Sequence, residues 1–240
     1  MLKLYDELAS WWPLFSPLED YADEAAFFLQ VMSETSSSPP TSLLELGSGG
    51  GNNAFYFKQH LAQMTLTDLS PQMLAVSRAL NPECQHLVGD MQTLRLGREF
   101  DVVFLHDAID YMTTLHELRR AMETAFIHCR PGGIALFVPD HLRETFEPST
   151  DHGGRDGNER ALRYLEWMYD PDEDDTHCVT EYVYVLREGN QPPRIEYEQH
   201  VHGLFYRADW LRLLQETGFQ TEIIRDEYDR ELFVSRKPKS

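Results

Sequence analysis

Short apolar runs of strand length alternate with segments of helical period through the middle of the chain. Ser42–Leu46 is an apolar run that stops at a cluster of glycines, and a helix is expected after it, from about Asn52 to Gln59. Met64–Thr67 reads as a second strand. Ser70-Pro71 then caps and opens a helix to about Leu80, with proline in the first turn, where its missing N–H costs nothing. Gln85–Val88 is a third strand, and Asp101–Leu105 is a continuous apolar run of the kind buried on both faces of a parallel sheet. Thr114-Leu115-His116-Glu117 forms a capping box that opens a helix to about Cys129. Pro131-Gly132-Gly133 turns the chain into IALFV, a fifth strand. Strand and helix in alternation imply an α/β fold, a parallel sheet with helices on both faces.

The flanks differ. Ser16-Pro17-Leu18-Glu19 reads as a capping box, and the pattern of Ala25, Phe28, Leu29 and Met32 predicts a helix from about Pro17 to Met32. Residues 1–32 are expected to cap the domain. Ser33–Thr41 is polar and proline-rich and reads as a surface connection. An insertion at about 141–206 breaks the alternation. HLRETFEP suggests a helical turn, Asp151–Glu159 a Gly-rich polar loop, and the rest is β-rich, with a hairpin at EGNQPP. Its aromatics (Tyr164, Trp167, Tyr169, Tyr182, Tyr184, Tyr197, Phe205) exceed what one small excursion buries, so a lid over a pocket or a homodimer surface is expected. The tail restores the core with an amphipathic helix, Ala208–Thr217, stopped by Gly218. FQTEII and ELFVSR follow too closely for a crossover helix and should pair antiparallel. Residues 1–240 form one domain in this reading.

Charge narrows the partners. The 240 residues carry 40 Asp and Glu against 21 Lys and Arg, a net charge of −19. That balance argues against nucleic acid, whose phosphates need basic side chains, and against an anionic membrane surface. No apolar run approaches the ~18 residues of a spanning helix. Asp6 and Glu7 stand where a signal peptide has an uncharged apolar core. The 3 cysteines are scattered and outside any CxxC, which suggests reduced thiols in a cytoplasmic protein and no metal site.

The chemistry concentrates after the first strand. Glu45-Leu46-Gly47-Ser48-Gly49-Gly50-Gly51 is an acid followed by a Gly-rich turn that opens a helix, a place for close backbone approach by a ligand. Asp68 ends the second strand, where an acid can bond a ribose diol, and Gly89-Asp90-Met91 ends the third. Ligands bind at the carboxyl ends of such strands.

On these motifs the chain, from Tyr5 to Arg236, resembles the class I S-adenosylmethionine-dependent methyltransferases. ELGSGGG looks like their first motif, LTDLSPQML their second, VGDM their third, and RPGGIALFV the turn into the fifth strand. The resemblance implies a Rossmann-like, seven-stranded, mostly parallel sheet with a reversed last strand. It implies that Gly47, Ser48 and Gly49 cradle the methionine part of S-adenosylmethionine, that Asp68 takes the ribose hydroxyls, and that Asp90 with the Met91 backbone holds the adenine. Tyr5 would cover the methionine end, and Glu45, Asn52, Leu69, Met73 and His106 join the expected cofactor contacts. LYDELA, GDMQTLRLGREFDVVF, HDAIDYM and GLFYR are similar, more loosely, to the N,N-dimethyltransferases of macrolide amino-sugar biosynthesis. In that group a His or Tyr follows the fourth strand near the accepting amine, and Tyr111 matches it.

The remaining candidates cluster around the expected acceptor site, between His106–Tyr111 and Asp140-His141. His106 and His141 are candidate bases, with hydrogen-bonded or solvated histidines as the plain alternative. Asp107, Asp110 and Asp140 would hold a cationic or amino substrate, or serve as caps. Trp11, Trp12 and Trp167 suggest an aromatic wall, or core packing. Asp170–Asp175 reads as a solvated acidic loop. The acceptor is a small molecule, through nitrogen or hydroxyl. Two alternatives stay open: a nicotinamide-dependent oxidoreductase, against which Asn52 stands where GxGxxG has Gly or Ala, and a cofactor-binding protein without turnover.

Overall fold

A computed structural model describes residues 1–239. A short helix α1 (Trp12–Phe15) and helix α2 (Ala22–Thr35) precede the sheet. Strand β1 (Ser42–Leu46), helix α3 (Asn52–Phe57), β2 (Gln63–Asp68), α4 (Pro71–Leu80) and β3 (Gln85–Val88) form the first half of the alternation. The second half is β4 (Phe100–Leu105), α5 (Leu115–His128) and β5 (Cys129–Phe137). Strands β6 (Ser149–Gly153), β7 (Arg160–Tyr169), β8 (His177–Glu188) and β9 (Arg194–Gly203) make up the insertion, and α6 (Arg207–Thr217), β10 (Gln220–Arg225) and β11 (Glu231–Arg236) close the fold.

The main sheet has 7 strands in the order β10-β11-β5-β4-β1-β2-β3, and a separate sheet has 4, in the order β6-β7-β8-β9. β11 is antiparallel to both its neighbours, β10 and β5, while β1 to β5 pair in parallel. The chain moves outward from β1 through β2 to β3 and then returns to place β4 on the other side of β1. Two crossovers therefore leave in opposite directions at the carboxyl ends of β1 and β4, opening a crevice between them.

Alternate residues of the strands feed two cores. Leu44, Leu46, Val103 and Leu105 face α5 and α6, meeting Leu118, Met122, Trp210 and Leu214. Leu43, Val102 and Phe104 face α2 and α3, meeting Phe28, Met32 and Phe57. A third cluster joins the N-terminal segment to the insertion: Leu4, Leu8 and Trp11 pack on Leu162, Tyr184 and Leu186. The insertion is thus a sheet whose inner face is covered by the first 15 residues of the chain, Tyr164 and Tyr182 included.

Local expectations hold where short-range chemistry is complete. Thr114 and Glu117 form a reciprocal capping box, Ser70 accepts the Met73 N–H, and Gly218 ends α6 at φ 111°. The box expected at Ser16 does not form. Ser16 Oγ bonds the Tyr21 hydroxyl at 2.7 Å, and its carbonyl accepts from Asn52 Nδ2 at 3.0 Å. The chain then runs through a 3-10 turn at Leu18–Tyr21, so α2 starts later and belongs to the core layer rather than to a cap. The loop expected from Asp151 contributes its first residues to β6, a polar edge strand paired with β7. The three tryptophans do not share a wall. Trp11 is buried under Arg160, Trp12 reaches the cavity, and Trp167 is exposed on the outer face of the second sheet. Nor is Asp170 solvated: its carboxylate forms a buried ion pair with Arg143.

Candidate active site

The carboxyl ends of β1 to β4 open onto a cavity of about 400 Å³, roofed by Tyr5 and Trp12 of the N-terminal segment. Its size lies in the range of small-molecule sites. The Gly-rich turn forms its floor. The N–H groups of Gly47 and Ser48 both donate to the Thr67 carbonyl, at 2.9 and 2.8 Å, which ties the turn to β2. Gly47 has φ 79°, and a Cβ there would lie 2.3 Å from the Ala108 Cβ. A Cβ on Gly50 would lie 2.4 Å from the Trp12 indole. Only glycine lets the backbone come this close to both the loop after β4 and the roof.

Several polar atoms of the cavity are buried without a protein partner. Glu45 ends β1 with its side chain 3% exposed and its Oε2 unpartnered. Burial pushes its pKa up to about 8, against the pull of His106. Ser48 Oγ, Trp12 Nε1 and Asn53 Oδ1 are also buried without partners and line the cavity. Buried polar atoms are normally paired, so this cluster fits a bound group that completes it. Asp68 accepts from the Gly49 N–H at 2.8 Å and the Ser70 N–H at 2.7 Å. Burial raises its pKa, and these backbone donors oppose the rise. A carboxylate has about four lone-pair sites, so Asp68 retains capacity for ligand hydroxyls. Asp90 caps its own turn through the Gln92 N–H at 2.8 Å.

On the far wall, His106 sits between two carboxylates. Its Nδ1 is 3.3 Å from Asp107 and its Nε2 is 3.4 Å from Glu24 of α2. Burial disfavours its charged form, but the two carboxylates outweigh it and hold its pKa well above the usual histidine value. An imidazolium has no lone pair, which removes His106 as a proton acceptor. Arg230, from the turn between β10 and β11, clamps the same group: it reaches Glu24 at 3.1 Å, Asp140 at 3.2 Å and Asp226 at 2.8 Å.

Tyr5 and Tyr111 face each other across the cavity with hydroxyls 2.7 Å apart. Tyr111 also bonds His200 Nδ1 at 2.7 Å, and His200 Nε2 is 2.9 Å from Glu198. Ser70 Oγ donates to the Tyr5 carbonyl, which fixes the roof to the start of α4.

Of the residues singled out in the sequence, Tyr5, Glu45, Gly47, Ser48, Gly49, Asn52, Asp68, Leu69, Asp90, Met91, His106, Asp107 and Tyr111 line one cavity. Four predicted residues do not. Met73 is buried beneath the Gly-rich turn as the first apolar contact of α4. Asp110 turns away to accept the Asp140 N–H at 2.8 Å; burial, with the Asp140 charge nearby, holds its pKa well above the usual carboxylate range. Asp140 is drawn outward by Arg230, and His141 packs edge-on against Phe146. Sequence reasoning misses Tyr21, Glu24, His200, Glu198 and Arg230. All come from elements remote in sequence, and none carries a local motif.

The Methyltransferase domain family matches residues 44–137. The chain is 32% identical over 143 residues to dTDP-3-amino-3,4,6-trideoxy-alpha-D-glucopyranose N,N-dimethyltransferase of Streptomyces venezuelae, an alignment covering 58% of this chain and 60% of that protein. The chain thus spans somewhat under two thirds of that relative's length. Over the whole fold it superposes on DesVI of Streptomyces venezuelae with a TM-score of 0.81 at 26% identity, covering 91% of this chain and 92% of that one. The sugar N-methyltransferase KedS8 from Streptoalloteichus gives 0.84 at 25% identity, covering 92% and 89%. These matches favour methyl transfer over the nicotinamide alternative. In the matched domain, the reversed last strand and the acidic glycine turn the chain is similar to the class I S-adenosylmethionine-dependent methyltransferases and, among them, to the amino-sugar N,N-dimethyltransferases.

Proposed function

We propose that the protein methylates an amine nitrogen on a small molecule, with an amino sugar as the acceptor class. The observation that carries this is the charge of the cavity. Asp68, Asp90 and Asp107 line it against a single imidazolium, His106, its described walls include no lysine or arginine, and Glu45 adds a further negative charge once a bound cation offsets its desolvation. Such a site concentrates cations, which suits both a sulfonium cofactor and an amine. Bound there, S-adenosylmethionine supplies a methyl group already activated as an electrophile. The protein's task is then alignment and exclusion of water. In this reading Gly47, Ser48 and Gly49 lie against the methionine part, Glu45 answers a positive charge, Asp68 takes the ribose hydroxyls, and Asp90 with Met91 borders the adenine. Tyr5 closes the site and Tyr111 stands beside the accepting nitrogen. His106, held as imidazolium, positions rather than accepts.

The test is calorimetry with S-adenosylmethionine and S-adenosylhomocysteine, then methyl transfer to dTDP-3-amino-3,4,6-trideoxyglucose and to its 3-hydroxy counterpart. Turnover on the amine alone supports the reading, and faster turnover on the hydroxyl removes it.

The cytoplasm is the proposed compartment, suggested by three free cysteines; no described helix is long and apolar enough to cross a membrane. A homodimer through the outer face of the second sheet is proposed from the exposure of Trp167, Ile195 and Tyr197 there. Light scattering that gives one chain's mass at every concentration would remove it.

A further inference from the structure

Four side chains from three distant stretches make one hydrogen-bonded line from the cavity wall into the second sheet. Tyr5 and Tyr111 line the cavity, while His200 and Glu198 are 1% and 6% exposed on β9. The steps are 2.7, 2.7 and 2.9 Å.

The direction of this line follows from its far end. Glu198 accepts the backbone N–H groups of Lys3 and Leu4. Burial opposes its ionisation, but His200 and these donors outweigh it and hold its pKa below the usual carboxylate value. An ionised carboxylate only accepts, so His200 Nε2 carries the hydrogen. In a neutral imidazole Nδ1 then has the lone pair, Tyr111 donates to it, and Tyr5 donates to Tyr111. Every O–H and N–H points away from the cavity. The lone pairs of the Tyr5 oxygen remain as the free acceptor on the cavity side.

We propose that Tyr5, Tyr111, His200 and Glu198 form a proton-accepting relay, which takes one proton from the acceptor nitrogen and delivers it to His200. The inference rests on the amine reading above. One N–H bond of the substrate ammonium breaks, leaving the electron pair on nitrogen. Tyr5 gains that proton and gives its own to Tyr111, which gives its own to His200 Nδ1. Both tyrosines end neutral, and the positive charge rests on His200 beside Glu198. Tyrosinate is never formed, in keeping with burial, which raises the pKa of both phenols.

The groups packed around the line supply no competing charge at His200. The Tyr182 ring lies 4.9 Å from it. Burial pushes up the pKa of Tyr182 and Tyr184, so both stay neutral. His202 is held down to about 4 by burial and by His200, so it too is neutral. Asp107 and Asp68 act on the cavity end, and Lys3 is paired with Glu196 at 2.7 Å. The same Glu198 that holds the charge also anchors the N-terminal segment, so the relay is complete only when the roof is docked.

The experiment follows methylation of dTDP-3-amino-3,4,6-trideoxyglucose by the full chain from about pH 6 to about pH 9.5, with His200→Gln and Glu198→Gln as variants. A base of this kind is worth about 10²–10⁴-fold, so turnover by His200→Gln should fall at least ~100-fold at low pH. The deficit should close to within ~3-fold once the free amine predominates in solution, since the nitrogen then arrives without the proton to be removed. Affinity of His200→Gln for S-adenosylhomocysteine should stay within about threefold, because His200 does not line the cavity. A deficit of equal size at every pH marks a structural role and overturns the relay, as does no deficit at all. Should the variants fail to fold, ¹⁵N NMR of His200 in the wild-type protein decides: Nε2 protonated with Nδ1 bare supports the relay, and the opposite tautomer ends it. If the wild-type protein methylates no amine, the proposed function fails, while the tautomer still reports on the line itself.

Discussion

Glu45 should make the ligand-free protein less stable as pH rises. Its carboxyl ends β1 in a buried position, with Oε2 unpartnered and a pKa of about 8 against an ordinary 4.5. The unfolded chain releases this proton near its ordinary pKa, whereas the folded chain keeps it until the higher one. The contribution of Glu45 to stability is therefore full at acid pH, falls across the interval between the two values and is flat above it. At 1.36 kcal/mol per unit, the interval corresponds to about 5 kcal/mol. Glu45→Gln removes the titration but keeps the shape. For a chain of this size, each kcal/mol moves the melting temperature by about 2–4 °C. The variant should match the wild type near pH 4.5 and exceed it by ~10–20 °C at alkaline pH. Thermal melts of both proteins without ligand, across that range, make the comparison. The same substitution should weaken S-adenosylmethionine binding and abolish the rise in its affinity with pH, because a bound cation stabilises the ionised carboxylate only in the wild type. Parallel melting curves at all pH values would show that Glu45 is not desolvated, and the reasoning would fail.

Three further outcomes follow from the same geometry. Asp68→Ala strips the charged partner from the Gly49 and Ser70 N–H groups, and a charged hydrogen bond is worth ~1.5–3 kcal/mol, so calorimetry should show at least tenfold weaker S-adenosylmethionine binding. Gly47→Ala forces a Cβ at φ 79° to 2.3 Å from Ala108, and should abolish cofactor binding and lower the melting temperature; a variant that binds normally would mean the loop yields freely. Phe28→Ala empties a fully buried site between Phe104 and His106 at a cost of ~3–5 kcal/mol, read as a lower denaturation midpoint; an unchanged midpoint would place α2 outside the core.

Periodicity, capping and glycine placement made the main sheet legible in the sequence. β1 is read with its boundaries because a short apolar run meets a glycine turn, and α5 because Thr114 and Glu117 complete a box within four residues. The glycine-turn side of the cavity is legible for the same reason: Glu45, the glycine turn, Asp68 and Asp90 each sit at or beside the end of a strand, and strand ends share one edge of the sheet. The opposite wall, around His106, is not local. Whether His106 is a base or a cation depends on Glu24 and Asp107, and Arg230, more than a hundred residues away, clamps Glu24. Asp110 and Asp140 look equivalent to Asp107 in the sequence, yet one is spent on a backbone N–H and the other on Arg230. Ser16 reads as a cap until Tyr21 and Asn52 claim its polar atoms. His200 and Glu198 sit in an alternating strand with no motif and acquire a role only when β9 is laid beside Tyr111 and the N-terminal segment. Local rules determine which residues make a strand, a helix or a tight turn, since those bonds close within a few residues. The charge state and partners of a buried side chain belong to tertiary structure, because they depend on which distant groups replace the water it has lost.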